Sequence, residues 1–201
     1  FECPELFSIL PFIEYEYGVW HPIGGCNALV AAMAEAASRL GARIETASPV
    51  SRITFDGQRA SGVVVHGQQQ RFDHVVVNAD ATWALKNLIP EGLRTSGHKD
   101  AAIDAKRYSC STFMLYLGME GEVELPHHTI YTSTKYRQNL ADIGEGRLSD
   151  DASFYVCNPS RTDPTLAPEG ESALYVLVPT ANLKAAADGA PIDWKKAAPE
   201  L

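Results

Sequence analysis

EYEYGVWHPIGGCNALVAAMAEAASRLGARIET, residues 14–46, runs from an aromatic stretch through a Trp-His-Pro turn and a double glycine into a long alanine-rich segment. The aromatic and β-branched residues 15–20 (YEYGVW) predict a strand that Pro22 ends. Gly24 and Gly25 then open a helix. Its apolar positions Leu29, Met33, Ala36 and Leu40 recur at helical spacing, with Val30 and Ala37 widening the stripe. Glu35 and Arg39 form an i,i+4 pair on the outer face, and Gly41 supplies the stop.

Working outward, short strands are expected at ARIET, VSRITFD, ASGVVVH and RFDHVVVNA. Asp56-Gly57 marks a hairpin between the second and third, and His66-Gly67 with the glutamines 68–70 reads as a polar turn before the fourth. HVVVNA is apolar enough for a strand covered on both faces. DATWALKNLI reads as a helix capped by Asp80 and ended by Pro90, followed by a loop or helix through residue 106. YSCSTFMLYLGM, HHTIYTS, SFYVCNP and SALYVLVP predict further strands. KYRQNLADIG predicts a helix ended by Gly144, and SRTDPTLAPEG a proline-punctuated loop. The fold class is therefore α/β of the α+β kind, with a mixed sheet and hairpin connections rather than a pure βαβ array.

Over 201 residues, 45% hydrophobic and 21% charged side chains describe a globular chain with material for a core. The net charge of -8 disfavours nucleic acid and anionic lipid as electrostatic partners, because polyanions need a basic patch. An oily ligand is compatible with that charge, since burial of hydrocarbon drives its binding. Cys3, Cys26, Cys110 and Cys157 form no CxxC pair and read as reduced, buried thiols in a cytoplasmic protein. No apolar run reaches the roughly eighteen residues of a membrane span. Glu2 and Glu5 stand where a signal peptide is basic. Phe1 and the closing DWKKAAPEL read as the edges of a segment from a longer polypeptide.

Residues able to carry chemistry are present without a diagnostic pattern. A dinucleotide fingerprint places GxGxxG between a strand and a helix, so that pyrophosphate meets backbone amides. GEGRLS at 144–149 lacks the third glycine and follows a helix. Gly24-Gly25 has the right place, at a helix mouth, without the GxG spacing, and alone reads as a packing device. His127 and His128, adjacent on an expected strand, should point to opposite faces and form no joint metal site, so no metal is expected. Together with His21 they read as hydrogen-bonded structural histidines. Asp150, Asp151, Asp163 and Glu169 lie in no EF-hand, HExxH or glycosidase-like context and read as a solvated loop. GxSxG is absent. Tyr15, Tyr17, Trp20, Phe113 and Tyr116, on expected apolar strands, either line one cavity or fill the core.

Several stretches together resemble the carotenoid (phytoene) desaturase family of amine-oxidase-like flavoproteins. GVWHPIGGCNALVAAMAEAASRLGARI is similar to that family's strand, P-x-GG, helix and LG-x-x-I block. SPVSRITFDGQRASGVVV resembles the hairpin that follows, and FDHVVVNAD the strand leading back to the flavin. SCSTFMLYLGM, LPHHTIY and SFYVCNPSRTDPTLAPEGESALYVLVP resemble the substrate-domain half of bacterial phytoene desaturases. The likeness runs from about Pro4 to Trp194, and the HHT…NP…TDPTLAPEG…YVLVP order is its most specific part.

The resemblance implies a substrate domain plus part of a discontinuous FAD-binding domain. Residues 1–23 would be a substrate-domain strand and turn, 24–90 part of the FAD-binding domain, and 91–201 a truncated substrate-binding domain. It implies that the Val50 backbone meets the adenine end of FAD and that Asn78, Ala79 and Asp80 end the strand approaching the cofactor. Gly24 and Gly25 would let the helix start pack near the flavin crevice. Trp20 and His21 would flank the substrate channel, with Phe113 and Tyr116 also binding substrate. The implied function is FAD-dependent desaturation of a C40 phytoene-like polyene in carotenoid biosynthesis. Hydride would pass to FAD, and the second hydrogen to a base or water. No residue stands out as catalytic. The alternatives are a flavin-dependent carotenoid isomerase, a desaturase of C30 diapophytoene-type substrates, or a non-catalytic apolar-ligand module. Peripheral membrane contact follows from the oily substrate. Without an N-terminal GxGxxG and a C-terminal glycine-rich FAD segment, this stretch alone is expected neither to hold FAD nor to turn over.

Overall fold

A computed structural model describes residues 5–183 and 192–197; Cys3 lies outside them. In chain order the main elements are α1 (Ile9–Tyr17), α2 (Gly25–Arg39), β1 (Val50–Asp56), β2 (Arg59–Val65), β3 (Gln68–Arg71) and α3 (Ala81–Leu88). Then follow α4 (Asp100–Asp104), β4 (Ser111–Met119), β5 (His128–Tyr131), α5 (Tyr136–Gly144), β6 (Phe154–Cys157) and β7 (Ser172–Thr180). Helices and sheets are mixed as expected, and every ladder among the described residues is antiparallel. The chain divides into two compact units, Phe1–Gly41 with Ser109–Leu201, and Ala42–Tyr108. Those breaks differ from the expected ones after residues 23 and 90.

The unit Ala42–Tyr108 is a three-stranded meander, β1-β2-β3, with α3 packed on it. The Asp56-Gly57 signal holds: Asp56 pairs with Arg59, and Gly57 takes the left-handed φ of 65° that the tight turn needs. Ile53, Ala84 and Leu88 form the buried core, and Val50, Phe55, Val63 and Val75 pack against it. Asp80 caps α3 by accepting from the Trp83 amide at 2.7 Å. Two expectations fail here. The glutamine run is strand β3 rather than turn, because His66 and Gly67 complete the reversal alone and bring Gln68–Arg71 into register with β2. ARIET and HVVVNA form no strands, and Val76 is 90% exposed. A strand exists through ladder bonds to a neighbour, and neither run has one among the described residues.

In the other unit the expected strand at 15–20 is also corrected. Residues 9–17 form α1, and Gly18 ends it, its amide returning to the Glu14 carbonyl at 2.9 Å. Pro11 is tolerated because it falls in the first turn, where amides have no intrahelical partner. With no strand beside the aromatics, their β preference has nothing to act on. Helix α2 forms as expected, but Leu29, Val30, Met33 and Leu40 are exposed. Gly25 and Ala28 in its first turn are instead half-buried, with Gly25 beside Leu166.

The second sheet has the order β4-β7-β6-β5. Strands β4 and β7 pair from Ser111↔Thr180 to Met119↔Ser172 without a register shift. The ladders set Tyr116, Tyr175, Cys157 and His128 in one row across the sheet, so all four project from the same face. Phe113 projects from the opposite face, where it stacks on Trp194 at 5.9 Å.

Gly62 marks the closest backbone approach. A Cβ there would lie 2.0 Å from the Gln70 carbonyl oxygen, in a strand pair that has no room to part. Gly62→Ala is expected to destabilise the protein by about 1–3 kcal/mol, read as a lowered Tm in a thermal melt.

Candidate functional site

The α2 turn and the β6–β7 connection meet at Asp163. Pro159–Arg161 and Pro164–Leu166 fold that connection into two short helical turns, and Asp163 between them is 1% exposed. Its reading as a solvated-loop carboxylate is therefore corrected. One oxygen accepts from the Thr165 amide at 3.1 Å and the Thr165 hydroxyl at 2.6 Å. The other accepts from the Gly24 amide at 2.6 Å and meets His21 Nε2 at 3.3 Å. These bonds, the Thr165 hydroxyl foremost, outweigh desolvation and pull the Asp163 pKa down to about 2. Gly24 has the left-handed φ of 83°, and a Cβ on it would press on Ala28 at 3.0 Å. The Gly25 amide donates to the Pro22 carbonyl at 2.8 Å. Both amides at the α2 mouth are thus committed within the chain. A protein carboxylate occupies the position where a helix N-terminus would otherwise favour pyrophosphate.

His21, half-buried, meets His127 edge-on at 5.3 Å. Trp20 is 86% exposed and donates to the Tyr17 carbonyl. The expectation that His127 and His128 face apart is corrected. Alternation holds within a paired strand, and His127 precedes the β5 ladder, so its ring lies 4.3 Å from that of His128. Donor atoms of His127, His128 and Cys157 all fall within 4.8 Å of one another. His127 Nδ1 is 2.5 Å from the Thr162 hydroxyl, and His128 Nδ1 is 2.5 Å from the Tyr155 hydroxyl. Burial first, then the neighbouring His128 and His21, lowers the His127 pKa below 6.5. Cys157 is buried as expected, whereas Cys26 and Cys110 are exposed.

An apolar cavity of about 330 Å³ opens between α5 and the sheet, lined by Ile130, Tyr136, Leu140, Ile143, Phe154 and Leu177 among others. Asp151, also expected to be solvated, ties the β5–α5 connection at its edge. It accepts from the Tyr131 hydroxyl, the Ser133 hydroxyl, and the Thr134 amide and hydroxyl at 2.6–3.1 Å. The Thr134 hydroxyl is the main cause of an Asp151 pKa of about 2. Asp150 and Glu169 are exposed, in keeping with a solvated loop. The five aromatics do not line one cavity: Tyr15 and Tyr17 project from exposed α1, and Phe113 and Tyr116 lie on opposite faces of β4.

The remaining candidates lie in the unit Ala42–Tyr108. Val50 is half-buried at the start of β1, where the register shifts before Arg52 and the Ser51 backbone falls outside the ladder. Asn78, Ala79 and Asp80 are exposed in the segment leading into α3, and the Asp80 carboxylate is committed to its cap. Sequence reasoning missed Asp163 and Asp151. For Asp163 a signal was available: an Asp directly before a proline and two residues before a threonine fits an N-cap that turns its carboxylate inward.

The family described as flavin containing amine oxidoreductase matches residues 2–190. The all-trans-zeta-carotene desaturase of Myxococcus xanthus is 45% identical over 96% of this chain. A 4,4'-diapophytoene desaturase (4,4'-diapolycopene-forming) of Methylomonas sp is 41% identical over 96%. The zeta-carotene-forming phytoene desaturase of Myxococcus xanthus is 38% identical over 100%. This chain spans only 37–38% of the length of these relatives. An oxidoreductase from Methanosarcina mazei superposes with a TM-score of 0.63 at 19% identity, over 91% of this chain and 40% of that one, which supports the fold.

The Asp163 clamp has a pH signature. Its folded pKa of about 2 lies below the ordinary 3.8, so its stabilisation is complete above 3.8 and is lost as the pH falls to about 2. The Tm gap between the wild type and Asp163→Asn should be constant above pH about 4 and close as the pH falls towards about 2, measured by circular dichroism.

Proposed function

The chain belongs to the flavin containing amine oxidoreductase family, and from that membership we propose that it is part of an FAD-dependent enzyme that desaturates CH–CH bonds of an apolar polyene. The observation that carries the reading is the high identity, over nearly the whole chain, to desaturases named for zeta-carotene and phytoene. FAD, when bound, supplies a two-electron acceptor. Val50, at the bulged start of β1, and Asn78, Ala79 and Asp80 are the residues proposed to border it. The fit is one of backbone, since the shift before Arg52 leaves peptide groups outside the regular ladder. Gly24 and Gly25 shape the α2 turn and do not seat the pyrophosphate, because their amides are already bonded.

The chain's own contribution is to hold hydrocarbon away from water. The cavity beneath α5 offers aliphatic and aromatic walls for a segment of polyene, while Asp151 fixes Tyr131 in its lining. Trp20, His21, Phe113 and Tyr116 stay in the reading as residues proposed for substrate contact, divided between different surfaces of the unit. A shorter C30 substrate is the second reading, favoured by the 41% identity to a diapophytoene desaturase. Peripheral membrane contact belongs to the same reading, as the route by which an oily substrate arrives. Among the described residues no helix is long and apolar enough to cross a membrane.

The test uses the full-length protein with FAD, mixed anaerobically with phytoene or diapophytoene in liposomes. Flavin bleaching with a product of longer conjugation is expected for one of them. A flavin-loaded protein that leaves both unchanged would overturn the reading. Ile130→Asp places a charge on the cavity wall at a side chain 73% exposed, so the fold should tolerate it. Turnover should fall about tenfold or more, since even one methylene in an apolar pocket carries that much.

A further inference from the structure

The cluster at the end of the β5–β6 ladder is unused by the proposed reaction, and its donor chemistry is specific. The geometry points to His127, His128 and Cys157 as the ligands of a thiophilic divalent cation of the zinc class. Two elements build the set. The register places His128 directly opposite Cys157, and the His127 carbonyl, accepting from the Asn158 amide at 2.9 Å, holds the preceding residue alongside. Both histidines thereby reach the thiol from one side.

Tetrahedral zinc, with bonds of about 2.0–2.3 Å, keeps its donors about 3.3–3.7 Å apart. A set lying within 4.8 Å closes on such an ion by shifts of under about 1 Å per donor. Two imidazoles and a thiolate select zinc, cobalt or copper over magnesium and calcium, which take oxygen ligands. The surroundings resemble a supporting shell. Hydroxyls of Thr162 and Tyr155 each engage one ring nitrogen and so orient the imidazoles. Cys157 is 3% exposed while His128 is exposed, so an ion entering from the His128 side would meet a sheltered sulfur and keep its fourth position open to solvent or an external ligand. Asp163 is not a ligand, since both of its oxygens are engaged by the α2 turn and Thr165. The ion takes Cys157 as a thiolate, whose proton passes to solvent on binding.

The test is titration of the reduced full chain with cobalt(II), with circular dichroism to verify that each variant is folded. One equivalent should produce a near-ultraviolet thiolate-to-cobalt band together with the visible bands of tetrahedral cobalt, and zinc should displace both. Cys157→Ser should abolish the thiolate band. His128→Ala, at an exposed site, should weaken binding at least about tenfold, and Tyr155→Phe, which leaves all three ligands in place, about 10–100-fold. A folded chain that shows no thiolate band overturns the assignment. So does a band that persists in Cys157→Ser, which would place the cobalt on Cys3, Cys26 or Cys110.

Discussion

A single buried carboxylate holds together segments that are far apart in the chain. Asp163 accepts from the Gly24 amide and both donors of Thr165 and faces His21, so the turn before α2 and the loop between β6 and β7 share one anchor. Burying a charge is costly unless donors surround it, and this one is nearly fully enclosed. The arrangement also places negative charge at the positive end of the α2 dipole. The Trp-His-Pro turn and its two glycines are therefore shaped to receive an internal anion.

This anchor brings the polar residues of the larger unit into one neighbourhood. His21 leads to His127, His127 to His128, and His128 to Tyr155 and Cys157. On the same sheet face, Tyr155, Tyr175 and Tyr116 continue the row as an aromatic band. The apolar cavity lies along α5, and the half-buried Asp151 holds Tyr131 in its lining. Tyr155 belongs to both the row and the cavity, bonding His128 through its hydroxyl and lining the apolar space.

Elements governed by local chemistry were legible in the sequence. The hairpin at Asp56-Gly57, the Asp80 cap of α3, helix α5 and strands β4 to β7 all form near where spacing and turn residues place them. Elements governed by partners were not. HVVVNA has strand composition but no ladder, and residues 9–17 become helix because no strand stands beside their aromatics. The site followed the same rule. Alternation along a strand said nothing about His127, one residue outside the ladder, and loop composition concealed Asp163, whose donors come from more than a hundred residues earlier as well as from its own turn. Long-range contact is the information that a linear pattern lacks.

The unbroken pairing of β4 with β7 bears on how the chain reaches this state. Residues 120–171 lie between the near ends of the two strands, yet those strands supply the longest ladder of the sheet. Closing so long a loop costs entropy before any of the nine cross-strand pairs can compensate for it. β5 and β6 are separated by a shorter connection through α5 and can meet sooner, offering the edge on which β7 and then β4 assemble. High contact order of this kind slows folding and prolongs the exposure of unpaired apolar strands during synthesis.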